Sequence, residues 1–326
     1  MKQRQLGRTG LEVSVIGFGC EGLRGESGMD RPTGAQGIAL VRAAHDFGVN
    51  WFDAGEGAGA ALNEAMLGAA VAPFRHRVAL AATVDTARDC RAEPAPRGVA
   101  ALVRQGAEDA LRRLKVDAID LLWLRTGSDT SPVEDMAGAV ADLVRSGKVK
   151  HYGLCNATPQ TVRLSNAVHR LTAVKTACSL AKPAPAPALL RTLDCCGIGL
   201  VASSPLGGGR LALPLPGWSP FGTGALADGA ATRAGTRVDS PLAAMLMRLA
   251  RSKAATPAQL ALAWVLARQP RAVALPVARR IGHVDENLGG AELALTADEL
   301  RELETAAAST WQGPPAVVRC EPEVSI

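Results

Sequence analysis

The sequence predicts an α/β fold: one parallel (β/α)8 TIM barrel with an N-terminal β-hairpin and a C-terminal helix and tail. Three observations predict it. Eight short apolar runs recur between about residue 14 and residue 290, amphipathic stretches separate them, and the repeat spans roughly the 250 residues such a barrel needs. A doubly wound sheet is the alternative architecture. Residues 1–13 lie ahead of the repeat, where Leu6-Gly7-Arg8-Thr9-Gly10-Leu11 places a glycine-bearing turn between two short polar-apolar segments. That pattern predicts a hairpin capping one barrel end.

The expected strands follow in order. They are Val15–Phe18, Asn50–Asp53, Val78–Ala81, Ile119–Leu124, His151–Leu154, Leu171–Val174, Ile198–Ala202 and Ala272–Leu275. Helical periodicity falls on 35–47, 97–114, 134–146 and 257–268, among others. The Pro-Ala repeat of Lys182–Pro187 predicts a stiff connector after the sixth strand. Residues 207–240 hold eight Gly and three Pro, a long loop after the seventh strand, and loops of that length usually serve function. The tail, 309–326, has no helical period. All of this is expected to form a single domain over residues 1–326.

Composition narrows the classes. With 48% hydrophobic and 21% charged residues over 326 positions, the chain is globular. Only 3% of residues are aromatic, so the core is built from Ala, Leu and Val. A net charge of +5 without a block of like charges does not indicate nucleic acid. No run of about eighteen apolar residues marks a membrane span, and no secretory leader is visible, so a cytoplasmic location is expected. The 29 Arg against 7 Lys suggest a GC-rich bacterial genome. Seven Cys without a C-x-x-C pair read as small buried thiols, and no metal site is expected.

Gly17-Phe18-Gly19-Cys20-Glu21-Gly22 fits the dinucleotide fingerprint G-x-G-x-x-G, yet Gly25, Gly28 and Pro32 follow before a helix can start. A helix N-terminus for the pyrophosphate is therefore missing there. A different resemblance runs along nearly the whole chain. Leu6–Cys20 is similar to the opening of the aldo-keto reductases. The likeness continues through Trp51-Phe52-Asp53-Ala54, Asn63-Glu64, Leu67-Gly68, Ile119–Leu122, Gly153-Leu154-Cys155-Asn156 and Ser204–Gly209. It closes with Pro276–Arg280 and His283–Leu288.

That family reduces carbonyls with NADPH, using Asp, Tyr, Lys and His at the C-terminal mouth of the barrel. The resemblance implies Asp53 for the Asp, and places Ala58, Val84 and Arg125 where the Tyr, Lys and His belong. Neither Ala nor Val can move a proton, and the single Tyr of the chain, Tyr152, sits on the fifth strand. For the cofactor the resemblance implies Cys155, Asn156, Lys175 and Ser203 around the nicotinamide. It implies Pro205, Leu206, Gly207 and Gly209 along the pyrophosphate, then Arg279, Arg280, Glu286 and Asn287 around the adenosine phosphate. The nicotinamide end is altered and the phosphate end is kept, so NADP(H) is the expected cofactor.

Several groups remain for chemistry. Without a lysine at 84, Asp53 is expected to pair with Arg125, or Arg125 to clamp a substrate anion, with Glu56 as a general acid or base. Asp85 would cap its loop. Cys155 and Cys178, near Lys175, would be nucleophiles if the ammonium lowered a thiol pKa; Lys175 itself would form a Schiff base or a salt bridge. Trp51, Trp123 and Trp264 read as core or pocket wall, Trp218 and Phe221 as lid aromatics or local packing, and Trp311 as a tail residue approaching the pocket mouth. The favoured function is redox-neutral acid–base catalysis (elimination, isomerisation or cyclisation) on a small metabolite, an anionic one included, through Asp53, Glu56 and Arg125. The alternatives are an NADP(H)-dependent carbonyl or imine oxidoreductase with a non-standard proton donor, and a non-catalytic NADP(H)-binding or scaffold protein.

Overall fold

The computed structural model describes residues 1–21, 23, 34–57, 59–86, 98–126, 132–181, 185–212, 241–268 and 271–310. Ala58, Trp218, Phe221 and Trp311 lie outside the described residues, as do most of 207–240, the tail beyond 310 and part of the Pro-Ala connector.

A hairpin comes first, with β1 (Gln3–Gln5) antiparallel to β2 (Glu12–Ser14). Eight parallel strands follow in sequence order around one sheet. They are β3 (Phe18–Gly19), β4 (Trp51–Asp53), β5 (Ala79–Asp85), β6 (Ile119–Arg125), β7 (Val149–Cys155), β8 (Ala173–Ala177), β9 (Gly199–Ser203) and β10 (Ala272–Leu275). Parallel bridges Ile16↔Ala274 and Gly19↔Val277 join the first strand to the last, so the sheet closes as a barrel. Between strands run α1 (Gly34–Asp46), α2 (Ala60–Val71), α3 (Gly98–Leu114), α4 (Val133–Arg145), α5 (Pro159–Val168) and α6 (Pro187–Cys196). The C-terminal half adds α7 (Pro241–Lys253), α8 (Pro257–Ala267), α9 (Ile281–Gly289) and α10 (Ala297–Thr310).

Strand alternation divides the apolar residues into two layers. Odd-numbered positions of β4–β8 point inward: Trp51, Ala79, Ala81, Leu121, Trp123, Cys155 and Ala173 share one interior cluster with Leu6, Leu11 and Val13 of the hairpin. The hairpin thus plugs the N-terminal end, and Gly7 lies so close to the Thr172 carbonyl that a Cβ would clash. Even-numbered neighbours, such as Phe52, Leu80, Val84, Leu122, Tyr152 and Val174, point outward and pack beneath the helices.

Candidate active site

Period-two alternation carries Asp53 on β4, Thr83 and Asp85 on β5, Trp123 and Arg125 on β6, and Lys175 on β8 inward at the C-terminal mouth. This is where barrels of this kind assemble their sites. Asp53 is fully buried. Its Oδ1 accepts the Gly55 N–H at 2.7 Å, and its Oδ2 accepts the Trp123 Nε1–H at 2.8 Å and the Lys175 ammonium at 3.3 Å. Lys175 is 2% exposed, lies 3.5 Å from the Thr83 hydroxyl and stands over the Trp123 ring at 5.2 Å. Burial alone would lower its pKa, but the Asp53 carboxylate, with Cys155, Glu56 and Glu21 behind it, outweighs burial and raises it. Lys175 is therefore a held cation. Gly153 makes room for the Trp123 ring, since a Cβ there would enter the ring and come within 2.6 Å of the Ala173 carbonyl oxygen.

Above this floor lies a second polar group. Arg125 Nη1 meets Glu56 Oε2 at 2.9 Å, and its Nε stands 4.0 Å from Asp85 Oδ2. The Thr86 hydroxyl donates to the Arg125 carbonyl at 2.9 Å and ties the two strand ends together. Glu21, just past β3, completes the ring. Its Cγ lies 2.6 Å from where a Gly55 Cβ would stand, and Gly55 adopts φ +85. Burial raises the Glu21 pKa, opposed by Lys175, reinforced by the carboxylates of Asp53 and Glu56, and again opposed by Arg125.

Several expectations are corrected by this geometry. Asp53 pairs with Lys175 across the barrel, and Arg125 pairs with Glu56 instead of Asp53. Val84 does not face the mouth at all: it points outward on β5, against Gly106 of α3, and Thr83 is the inward neighbour. Cys155 is 2% exposed and burial pushes its thiol up to about 12 despite the pull of Lys175, so it is no nucleophile at neutral pH. Burial likewise lifts Cys178 to about 11. Lys175, protonated and pinned, does not serve as a Schiff-base amine. Asp85 stands near Arg125, and the loop it was expected to cap lies outside the described residues. Trp123, expected as wall, is a hydrogen-bond donor to the central carboxylate. Tyr152 points away from the mouth: it donates to the His169 carbonyl at 2.7 Å beneath α5, and burial raises its pKa to about 12. Glu21 and Thr83 were missed altogether. The signal for Glu21 was strand parity, because Gly17 and Gly19 face the interior and residue 21 continues their face.

The phosphate-side positions form a separate cradle beyond β9 and β10. Gly207, Gly208 and Gly209 have φ of +62, +71 and +89, and open space surrounds a Cβ built on either of the last two. Pro205 and Leu206 are buried beneath that turn. Arg279 and Arg280 are exposed at the start of α9. His283, one turn on, has its pKa lowered by burial and by the nearby Arg280 and Arg279. Two guanidiniums over a nine-residue helix N-terminus fit a phosphate. Burial raises the Glu286 pKa, opposed by Thr256 of the α8 cap, and Asn287 is 5% exposed. Nearer the pair, Asn156 is exposed with φ +53, and its N–H donates to the Lys175 carbonyl at 2.8 Å. Ser203 is half-buried at the end of β9. Asn156 and Ser203 thus reach the rim of the mouth, whereas Cys155 and Lys175 belong to its buried floor. The residues present fit a dinucleotide at its phosphate end and offer a changed surface at its nicotinamide end.

A closed parallel barrel with charged groups gathered at its C-terminal mouth is an enzyme scaffold. The aldo/keto reductase family model matches residues 15–308, and the chain belongs to that family. A probable aldo-keto reductase 1 from Glycine max is 32% identical over 315 residues, covering 92% of this chain and 87% of the relative. Among solved structures, a thermostable aldo-keto reductase in complex with the inhibitor epalrestat superposes with a TM-score of 0.75 at 25% identity, covering 94% of this chain and 100% of that one. An aldo-keto reductase from Klebsiella pneumoniae in complex with NADPH gives 0.72 at 25% identity, over 94% and 95% of the two chains. Another structure from that organism, with NADP and acetate, gives 0.70 at 25%, over 93% and 94%. Among the described residues no helix is long and apolar enough to cross a membrane.

Proposed function

We propose that the protein binds NADP(H) across the barrel mouth and acts as an oxidoreductase on a small carbonyl or imine compound. The charged ring at the mouth would stand in for the family's tyrosine. One observation carries the reading: the Arg279–Arg280–His283 cradle and the open Gly207–Gly209 turn flank the same mouth that gathers Glu21, Glu56, Asp85 and Arg125. The similar Klebsiella pneumoniae enzymes with NADP and NADPH support the cofactor.

When bound, the dinucleotide gives or takes a hydride. The chain does the rest. The Asp53–Lys175 pair, fixed by Trp123 and Gly55, forms a rigid charged floor and excludes water from it. Arg125, held by Glu56, orients the polar end of the substrate. A carboxyl at the rim manages the proton, because the only tyrosine, Tyr152, is on the far face of β7 and residue 58 is alanine.

Titration with NADPH, followed by tryptophan fluorescence and calorimetry, tests the reading. Micromolar binding with weaker NADH binding is expected, since NADH lacks the phosphate that the two arginines would hold. No binding at millimolar NADPH would overturn it. A redox-neutral acid–base reaction at the same ring is the second reading. It is favoured by Lys175, which the resemblance puts beside the nicotinamide but which is committed to Asp53 at 3.3 Å. Tight NADPH binding without NADPH oxidation across a broad panel of aldehydes, ketones and imines would select it.

A further inference from the structure

Among the described residues, every charged side chain of the ring at the mouth except one is already engaged. Asp53 accepts three hydrogen bonds, and adding a proton to it would break an ion pair buried to 2% and 0% exposure. Lys175 holds its proton between Asp53 and Thr83. Glu56 is bound to Arg125 at 2.9 Å, and Asp85 faces the same guanidinium at 4.0 Å. Cys20 and Cys155 are buried thiols at 0% and 2% exposure. Among these groups the Glu21 side chain is the one that is partly exposed and makes no hydrogen bond or ion pair with the described residues. It is half-buried, and it sits against Gly55, whose N–H holds Asp53.

We infer that Glu21 is the proton donor of this mouth. The inference rests on the reading above that substrate reacts there. In the reductive direction the Glu21 carboxyl O–H bond breaks as a new O–H or N–H bond forms on the substrate heteroatom, which has gained an electron pair from hydride delivered to carbon by NADPH. The Glu21 carboxylate then regains its proton from water. In a redox-neutral reaction the same carboxyl shuttles the proton with no change of oxidation state.

The charges facing Glu21 make it suited to the task. The carboxylates of Asp53 and Glu56 favour the protonated form, whereas Lys175 and Arg125 favour the anion, and burial tips the balance toward the acid. A carboxyl tuned upward in this way transfers protons closer to neutral pH than an ordinary one.

The first test needs no substrate. In protein labelled with 13Cδ-glutamate, the Glu21 resonance is assigned by its loss in Glu21→Gln and followed against pH. A midpoint above the ordinary value of about 4.3 is expected, whereas a midpoint at or below that value overturns the inference. The second test uses NADPH with 4-nitrobenzaldehyde as the probe. Glu21→Gln should lower kcat by about 100-fold or more and leave NADPH affinity unchanged, with Glu21→Asp recovering part of the rate. Wild-type kcat should fall as pH rises through the measured midpoint, and this dependence should be absent in Glu21→Gln. Unchanged kcat in Glu21→Gln would overturn the inference. A raised midpoint in a protein that oxidises no NADPH sinks the reductive reading, and supports Glu21 as the acid of a redox-neutral one.

Discussion

At the scale of single residues, the Asp53–Lys175 pair decides what the mouth can be. A carboxylate and an ammonium removed from water cost several kcal/mol each, and their attraction compensates only when the remaining valences are filled. Here Trp123, Gly55 and Thr83 fill them. The pair therefore gives little net stability compared with an apolar pair of the same volume, yet losing one partner is expensive. Lys175→Met is expected to destabilise the fold by about 3–5 kcal/mol, and Asp53→Leu by a similar amount. The double variant should lose less than the sum, because no charge is stranded. Urea unfolding of the wild type, both single variants and the double variant checks this, and strictly additive losses would show that the two groups do not interact. The sign of the pH dependence follows from Lys175. Its pKa is raised in the folded state, so its stabilising contribution is complete below the unfolded value of about 10.4 and is lost as pH rises through the folded one.

At the scale of elements, legibility in the sequence follows polarity. The apolar runs located all eight strands, yet the strands β5 and β8 run on past them to Asp85 and Ala177. These ends were not visible because the inward positions turn polar where the mouth begins: Thr83 and Asp85 on one strand, Lys175 on the other. A strand that carries site chemistry looks, by hydropathy, as though it had stopped. The strand β3 shows the opposite error, since an expected strand over Val15–Phe18 is realised only at Phe18–Gly19. Its start is held instead by the Ile16↔Ala274 bridge, beside Gly17, which leaves no room for a Cβ next to the Trp51 ring. Pairings across the barrel were also hidden. Residues 53 and 175 are 122 positions apart, and no local pattern reports such a contact. The same geometry makes Gly153 a testable joint between β6 and β7. In Gly153→Ala the new methyl group must displace the Trp123 ring or the β8 backbone, at a cost of about 1–3 kcal/mol, and should move the indole away from Asp53. Thermal unfolding should record the loss, and the near-ultraviolet circular dichroism of the tryptophans should change with it. A variant with wild-type stability and spectrum would mean that the ring has slack the structure does not show.

At the scale of the whole molecule, the barrel separates stability from chemistry by its two ends. The N-terminal end is closed by Leu6, Leu11 and Val13, which join the innermost apolar layer, and Arg4 of the hairpin donates to the Ala272 carbonyl at the foot of β10. The C-terminal end carries the charged ring and the arginine cradle proposed for the phosphate. Arg279 and Arg280 lie outside the interior cluster that holds Leu6, so changes at the plug and at those arginines should act independently. Leu6 is 0% exposed, and truncation to alanine leaves a cavity in the plug. Leu6→Ala is expected to cost about 2–5 kcal/mol, lowering the urea midpoint with little change in slope. Folded Leu6→Ala protein should bind NADPH as the wild type does. Replacing Arg279 and Arg280 together with alanine should do the reverse. Both are exposed, so stability should change by less than about 0.5 kcal/mol, while each lost charged hydrogen bond to the adenosine phosphate weakens NADPH by about 10-fold or more. Binding of NADH, which has no such phosphate, should stay nearly constant, so the preference for NADPH should collapse. Calorimetric titration of both nucleotides against both variants supplies the crossed comparison. If the double arginine variant lost NADH as severely as NADPH, the two side chains would be shaping the loop and not reading the phosphate, and the cradle would have to be sought elsewhere on the rim.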